Sequence, residues 1–263
     1  MSLHALETAL NALRANWPHA WPGLPAVMQG CVHQLGGAQA DSHSARVLMV
    51  AQELAKELER HGQALGADEP PYHSRLHLAD TLVALSALLV ALRVQEHRTD
   101  QPIGAQEALM LLAMLGHDAW HPGRSNLVTS ELELASAQRV VAVMARHGLS
   151  EADCDEVSAL ILATALDRDD DKLQADAQAF SLASLASRAT LVREADVLVS
   201  ALPAFGASLT QALSREWARL DARVGDALLQ PEARQRFLRT VARFSSPPAR
   251  ALGLPQIVRM QLA

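Results

Sequence analysis

Tyr72-His73-Ser74-Arg75-Leu76-His77-Leu78-Ala79-Asp80 opens, and Gly116-His117-Asp118-Ala119-Trp120-His121-Pro122-Gly123-Arg124-Ser125-Asn126 closes, the stretch on which the reading of this chain turns. Between them Leu82 to Leu92 is apolar apart from one serine and ends at Arg93, which predicts a long helix from Tyr72 or Ser74 to about His97. After the turn at Thr99 to Gly104, a second apolar helix from Ala105 to Leu115 delivers the chain to His117-Asp118, and Pro122-Gly123 bends it away. Five of the eleven histidines fall inside this stretch, four of them in pairs. Residues four apart on a helix share a face, so His73 and His77 point the same way, and His117 and His121 do so as far as the helix continues.

Working outward, the same periodicity continues in both directions. Leu6, Leu10, Leu13 and Trp17 recur at helical steps and Pro18 ends the pattern. A short helix is expected over Pro25 to Gln34, broken by Gly36-Gly37, with a cap at Asp41-Ser42. The next, Ser44 to His61, buries Val47, Val50, Leu54 and Leu58 and exposes Lys56, Glu57, Glu59 and Arg60. Beyond the core stretch, helices are expected over Glu131 to His147 with Leu134, Val140, Val141 and Met144 inward, from a cap at Ser150 through Leu166, then over Ser181 to Leu202, Leu209 to Leu229 and Pro231 to Phe244. The prolines at 247, 248 and 255 mark Ser245 to Ala263 as a tail. No stretch alternates as a strand would. The expectation is a single all-α domain over residues 1–263: an N-terminal helical subregion (1–66), a core (67–203) and C-terminal helices with a tail (204–263). Residues 1–66 can cover a pocket, form a homodimer surface or enlarge the core, and the pattern does not choose among these.

Composition agrees and excludes several classes. Hydrophobic residues make up 49% of the chain and aromatics only 3%, so the interior is built from Leu, Ala and Val, a mixture that favours helices over sheets. A net charge of −6 with dispersed Lys and Arg gives no footprint for nucleic acid. Cys31 and Cys154 are isolated, suggesting neither a disulfide framework nor a thiolate site and fitting a reducing cytoplasm. No leader is evident at the N-terminus, and no run reaches the roughly 18 apolar residues of a membrane span.

The chemistry lies in the histidines. Imidazole is the commonest metal ligand, and carboxylates complete such sites, so His77, His117, Asp118 and a remote carboxylate can enclose one cation. Asp196, set in Ala195-Asp196-Val197-Leu198-Val199, is that carboxylate, since an unpaired charge among apolar neighbours costs several kcal/mol and demands a partner. A His-Asp dipeptide or a His pair alone is ordinary surface chemistry; their combination points to a metal. The acidic run Asp167 to Asp171 reads as a solvated loop, and Trp17, Trp21 and Trp217 as packing, whereas Trp120, between Asp118 and His121, is placed to line a pocket.

These residues resemble a known family. Tyr72 to Asp80 looks like the Y-H-N-x-x-H-A-x-D signature of the class I cyclic-nucleotide phosphodiesterases, members of the HD-domain metal-dependent phosphohydrolases. His117 to Asn126 resembles that family's H-D-x-x-H-x-G-x-x-N segment, Ser130-Glu131-Leu132-Glu133 its S-x-L-E, and Ile161-Leu162-Ala163-Thr164 its I-L-A-T. Ala195-Asp196 falls where that family places its last metal-binding aspartate.

The resemblance implies an all-helical domain holding two divalent cations, with His77, His117, Asp118 and Asp196 around the tighter one, usually zinc. Asp118 would bridge to a second, magnesium or manganese, whose waters are steadied by His121 and Glu133; in related di-iron enzymes the metal is iron. It implies hydrolysis of a small-molecule phosphoester, a 3′,5′-cyclic nucleotide in the first instance, by a hydroxide shared between the metals, with His73 as general acid and Tyr72, Trp120, Asn126 and Gln256 toward the substrate. Other HD-domain activities (phosphomonoesterase, nucleotide hydrolase, di-iron organophosphonate oxygenase) and a catalytically silent nucleotide-binding regulator are the alternatives. The chain departs from the family at Ser74, where Asn is usual, at Ala135-Ser136, where His-His is usual, and after Gln256, where Ile257-Val258-Arg259 offers no aromatic clamp.

Overall fold

The side chains from Leu78 to Leu92 are apolar on every side of a helix, not along one stripe, so this segment requires packing partners all round. A computed structural model, describing residues 2–39, 42–166 and 180–263, supplies them. Among those residues there are thirteen α-helices and no strand: α1 (Leu3–Asn16), α2 (Leu24–Gln34), α3 (His43–Leu65), α4 (Arg75–Gln95), α5 (Ala105–Gly116), α6 (Glu131–Arg146), α7 (Glu151–Leu162), α8 (Leu185–Ala201), α9 (Pro203–Ala218), α10 (Ala222–Leu228), α11 (Pro231–Thr240), α12 (Pro247–Ala251) and α13 (Leu254–Leu262). The fold is all-α.

The hairpin of α4 and α5 is the centre. α4 packs against α1, α2, α5, α8 and α12, and α5 against α3, α4, α6, α7 and α8. The 21 residues of α4 are long and apolar enough to cross a membrane by length and composition, but nearly all are buried inside the protein, where a core helix sits. One continuous apolar core runs from Leu6 and Leu10 on α1 through both central helices to Val258 on α13. Residues 1–66 therefore enlarge the core.

Arg93, 1% exposed, locks the closed end of the hairpin. It donates to the carbonyls of Leu35 and Gln101 at 2.8 Å each and of Pro102 at 3.2 Å, and pairs with Glu107 at 2.7 and 2.5 Å. Glu107 also accepts from the Gly104 N–H at the start of α5, 2.9 Å away. Burial pushes the Glu107 carboxyl up, but the bonds from Arg93 and Gly104 outweigh it and hold the group below its ordinary 4.5. Glu107→Ala leaves Arg93 buried without its counter-charge and is expected to cost about 3 kcal/mol, read as a lower denaturant midpoint. Because the folded pKa is depressed, this contribution is complete above the unfolded value and is lost as pH falls through the folded one. The gap between wild type and variant should narrow in acid accordingly.

At the open end, Gly116 ends α5 where a Cβ would stand 2.5 Å from Val140 Cγ2, so only glycine lets α6 close over the last turn before His117.

Several expected elements differ. Glu59 is buried, because its carboxylate serves the Trp21 indole and the Leu24 N–H at 2.9 Å each, together with Arg75. Leu134 is 48% exposed: the inward face of α6 is Leu132, Ser136, Val140, Val143 and Met144, and Leu134 lies off it. α7 stops at Leu162, short of Leu166. The single helix expected over Leu209 to Leu229 is two, α9 and α10, with Asp221 capping the second. The tail forms α12 and α13, since prolines at the first helical positions start helices as readily as they end them. Asp41 and the acidic run Asp167 to Asp171 lie outside the described residues.

Candidate metal centre

The hairpin brings the first turn of α4 and the end of α5 together, and α8 lies against both. His77 Nε2 stands 3.2 Å from Asp118 Oδ2 and 3.5 Å from Asp196 Oδ1. His117 Nε2 is 3.2 Å from each of the same oxygens and 3.3 Å from His77 Nε2. Ligands about 2.0–2.2 Å from a tetrahedral ion are separated from one another by about 3.3–3.6 Å; these five separations lie close to that spacing, and His77, His117 and Asp196 form one group able to hold an ion. His117 Nδ1–H donates to the Met114 carbonyl at 2.7 Å, which fixes the tautomer and turns the Nε2 lone pair into the cluster. Arg14 on α1 holds the base of α4 by a two-pronged bond to Asp80, 2.8 and 2.6 Å, one turn beyond His77.

The charges favour a cation as well. Burial lowers the proton affinity of both imidazoles, yet Asp118 and Asp196 outweigh it, raising His77 to about 9 and His117 well above its ordinary value. Burial works against the two carboxylates in turn, and the histidines hold Asp196 at about 2 and Asp118 well below the usual range. With neutral imidazoles the cluster carries two negative charges away from solvent, which a divalent ion balances.

A second group meets at Asp118. His73, Asp118 and His121 have donor atoms close enough for one ion, with His73 Nε2 3.9 Å from Asp118 Oδ2. The rings of His73 and His121 stack at 3.6 Å. His121 Nδ1 accepts the Gly123 N–H at 3.1 Å, and burial and then the neighbouring His73 push its pKa down to about 4. His121 is thus neutral at pH 7 with its proton on Nε2, a donor suited to holding a water or an oxyanion. The turn carrying these groups is strained: Trp120 has φ of 57°, a left-handed conformation that costs a bulky residue about 1–3 kcal/mol.

One decisive residue carries no sequence motif. α8 and α9 meet at 92° where Pro203 begins α9, and the turn returns Glu216, fully buried, to the first histidine pair. Its Oε2 accepts the N–H groups of Tyr72 and His73 at 2.9 and 3.0 Å, and its Oε1 accepts His73 Nδ1–H at 2.5 Å. Burial raises the Glu216 carboxyl, and these bonds, the His73 side chain foremost, bring it below its ordinary value. With Nδ1 committed, Nε2 is the His73 atom that faces Asp118.

The other expected residues divide. Trp120 lines the cleft over Asp118, alongside His73 and His121. Tyr72 sits behind the ligands, its ring 4.8 Å from those of His73 and His77 and its hydroxyl 3.0 Å from Ser200 Oγ. Asn126 and Glu133 bond to each other at 2.9 Å, and Asn126 also caps α6 at Leu132 N–H. Gln256 is not brought to the cleft: burial of Leu254 and Val258 turns it to the exposed face of α13, where it accepts from Arg259 at 2.6 Å. Arg75 lines the cleft but is saturated by Glu59 and by Glu69, the latter at 2.9 Å.

Compared with models of known protein families and with curated proteins, the chain matches none.

Proposed function

We propose that this chain is a metal-dependent phosphoester hydrolase of the HD-domain type, with a 3′,5′-cyclic nucleotide as first-choice substrate. The observation that carries this is the set of five separations of 3.2–3.5 Å among the nitrogens of His77 and His117 and the oxygens of Asp118 and Asp196. Those four residues would hold one divalent ion, zinc by the ligand chemistry, and Asp118 would share a second with the His73 and His121 side. Bound cations would lower the pKa of water and neutralise charge at phosphorus.

The remaining work falls to the chain's own groups. His73, its Nδ1 bonded to Glu216, donates from Nε2 to the leaving oxygen as the P–O bond breaks. His121 offers its Nε2–H to an oxygen beside Asp118. No free cation among the described residues of the cleft competes for the phosphate, because Arg75 is already paired.

The test is a screen of protein stripped with chelator and reloaded with Zn, Mg, Mn or Fe against cyclic mononucleotides, cyclic dinucleotides and bis-p-nitrophenyl phosphate. Metal-dependent hydrolysis is expected. Oxygen consumption with iron in its place, or nucleotide binding without turnover under every metal, would replace the hydrolase reading.

A further inference from the structure

The formal charge of −6 is unevenly divided along the chain. Residues 231–263 hold six arginines, no lysine and one acidic residue, Glu232, a balance of +5, while residues 1–230 carry −11. The basic stretch is the stretch of α11, α12 and α13, and α13 packs against both of the others. Leu238 of α11 and Leu254 and Val258 of α13 are buried, so the opposite faces of these helices stand in solvent. On α11 that face carries Arg236 and Arg239, with Arg243 a helical step further on and Glu232 as its acidic member. On α13 it carries Arg259 beside Met260, which is 63% exposed. Half-buried Arg234 ties the group to the body, donating to the carbonyls of Ser200 and Ala201 and to Gln261 Oε1.

These arginines are uncompensated. Among the described residues the side chains of exposed Arg236, Arg239, Arg243 and Arg250 make no ion pair and no hydrogen bond, and Arg259 bonds only the neutral Gln256. Arg146 and Arg223, also exposed, each pair with a carboxylate. Like charges gathered without counter-charges raise the local potential, and a surface of negative charge relieves it. Guanidinium forks match phosphate oxygens in particular. Nucleic acid calls for rings to stack on or an element free to enter a groove; here Phe244 is buried, Phe237 lies under Arg234, and α11 and α13 have their apolar faces committed to the body. Leu229, 50% exposed just before α11, and Met260 set aliphatic surface among the arginines, which suits the headgroup layer of a bilayer.

We propose that the outer face of α11 to α13 docks on a membrane rich in anionic phospholipid, held by Arg236, Arg239, Arg243, Arg250 and Arg259, with Met260 entering the headgroup layer. The association is peripheral and reversible, and it is independent of the chemistry at Asp118.

The experiment is co-sedimentation of the whole chain with vesicles of phosphatidylcholine alone and of equal parts phosphatidylcholine and phosphatidylglycerol, at low and high salt, alongside fluorescence anisotropy with duplex DNA and single-stranded RNA. Wild type is expected to bind the anionic vesicles, to leave them as salt screens the arginines, and not to bind phosphatidylcholine alone. Arg236→Gln, Arg239→Gln and Arg243→Gln together are expected to weaken anionic-vesicle binding by about 10²-fold, since each basic residue near such a surface contributes about fivefold. Melting point and metal content should match wild type, because these side chains hold nothing in the fold. Arg46→Gln, Arg60→Gln and Arg146→Gln together remove the same charge from the acidic body and are expected to leave vesicle binding nearly unchanged. Absence of wild-type binding to anionic vesicles overturns the proposal, as does binding indifferent to salt or an equal loss in the two triple variants. Tighter arginine-dependent binding to nucleic acid than to the vesicles overturns it as well, and makes that polymer the partner.

Discussion

Asp118→Ala is expected to lose hydrolysis of both cyclic nucleotides and bis-p-nitrophenyl phosphate by more than about 10⁴-fold, past the upper end of what a proton-transferring group supplies. Its Oδ2 lies 3.2 Å from the Nε2 atoms of both His77 and His117 and 3.9 Å from that of His73, so one carboxylate belongs to both donor groups. Among the described residues, the ion pairs of Asp196 are with His77 and His117 and none is with His73 or His121. Asp196→Ala should therefore release the ion between those histidines and leave the His73, Asp118 and His121 group intact, whereas Asp118→Ala should release both. Metal analysis after dialysis reads that difference directly. The Asp118 variant leaves His77 and His117 with one carboxylate fewer, so its helical signal at low temperature should hold while its melting point in metal-free buffer falls. Retained hydrolysis with Asp118 replaced would sink the site assignment.

The sequence made the core stretch legible because α4 and α5 are apolar on all sides, a pattern that only a buried helix tolerates. Asp196 was legible for the same reason, as a charge with no apparent partner among apolar neighbours. Glu216 carries the same signal: it lies on a face with Ala212 and Phe205, both buried. That register is lost when the helix is started at Leu209, past Phe205, and run on to Leu229, whereas the break at Leu220-Asp221 is marked by the Asp221 cap and contains no proline or glycine. Glu59 was misplaced because a carboxylate in a charged run looks solvated until Trp21, Leu24 and Arg75 are seen to surround it. Gln256 illustrates a different limit. Its position depends on α13 existing at all, and the prolines that suggested an irregular tail are the first-turn residues of two short helices. The end of α3 was missed for a local reason, since Gly62 after His61 reads as a helix stop, whereas the helix runs on to Leu65 because Gly62 lets Arg75 lie against it.

Glu216→Gln is expected to separate proton transfer from metal binding. The carboxylate accepts three N–H groups: two backbone amides at Oε2 and His73 Nδ1 at Oε1. An amide of the same shape has one acceptor oxygen and one NH₂ donor, so it cannot satisfy both sides. If its oxygen serves the backbone, its NH₂ faces His73 Nδ1, and the imidazole proton is forced to the other nitrogen with no negative partner behind it. For an ester whose leaving oxygen must be protonated, such as a cyclic nucleotide, kcat should fall by about 10²–10⁴-fold, the range of a general acid, and His73→Ala should fall by a similar factor. The double variant should be little worse than either, because the two residues act as one unit. With p-nitrophenyl esters, whose leaving group is stable as an anion near neutrality, the loss should be far smaller, and metal content should match wild type. Equal losses on both substrates would mean that Glu216 only holds the chain at Tyr72 and His73 in place. Two signatures thus separate the roles: Asp118 removes metal and all turnover, whereas Glu216 and His73 lower kcat according to the leaving group.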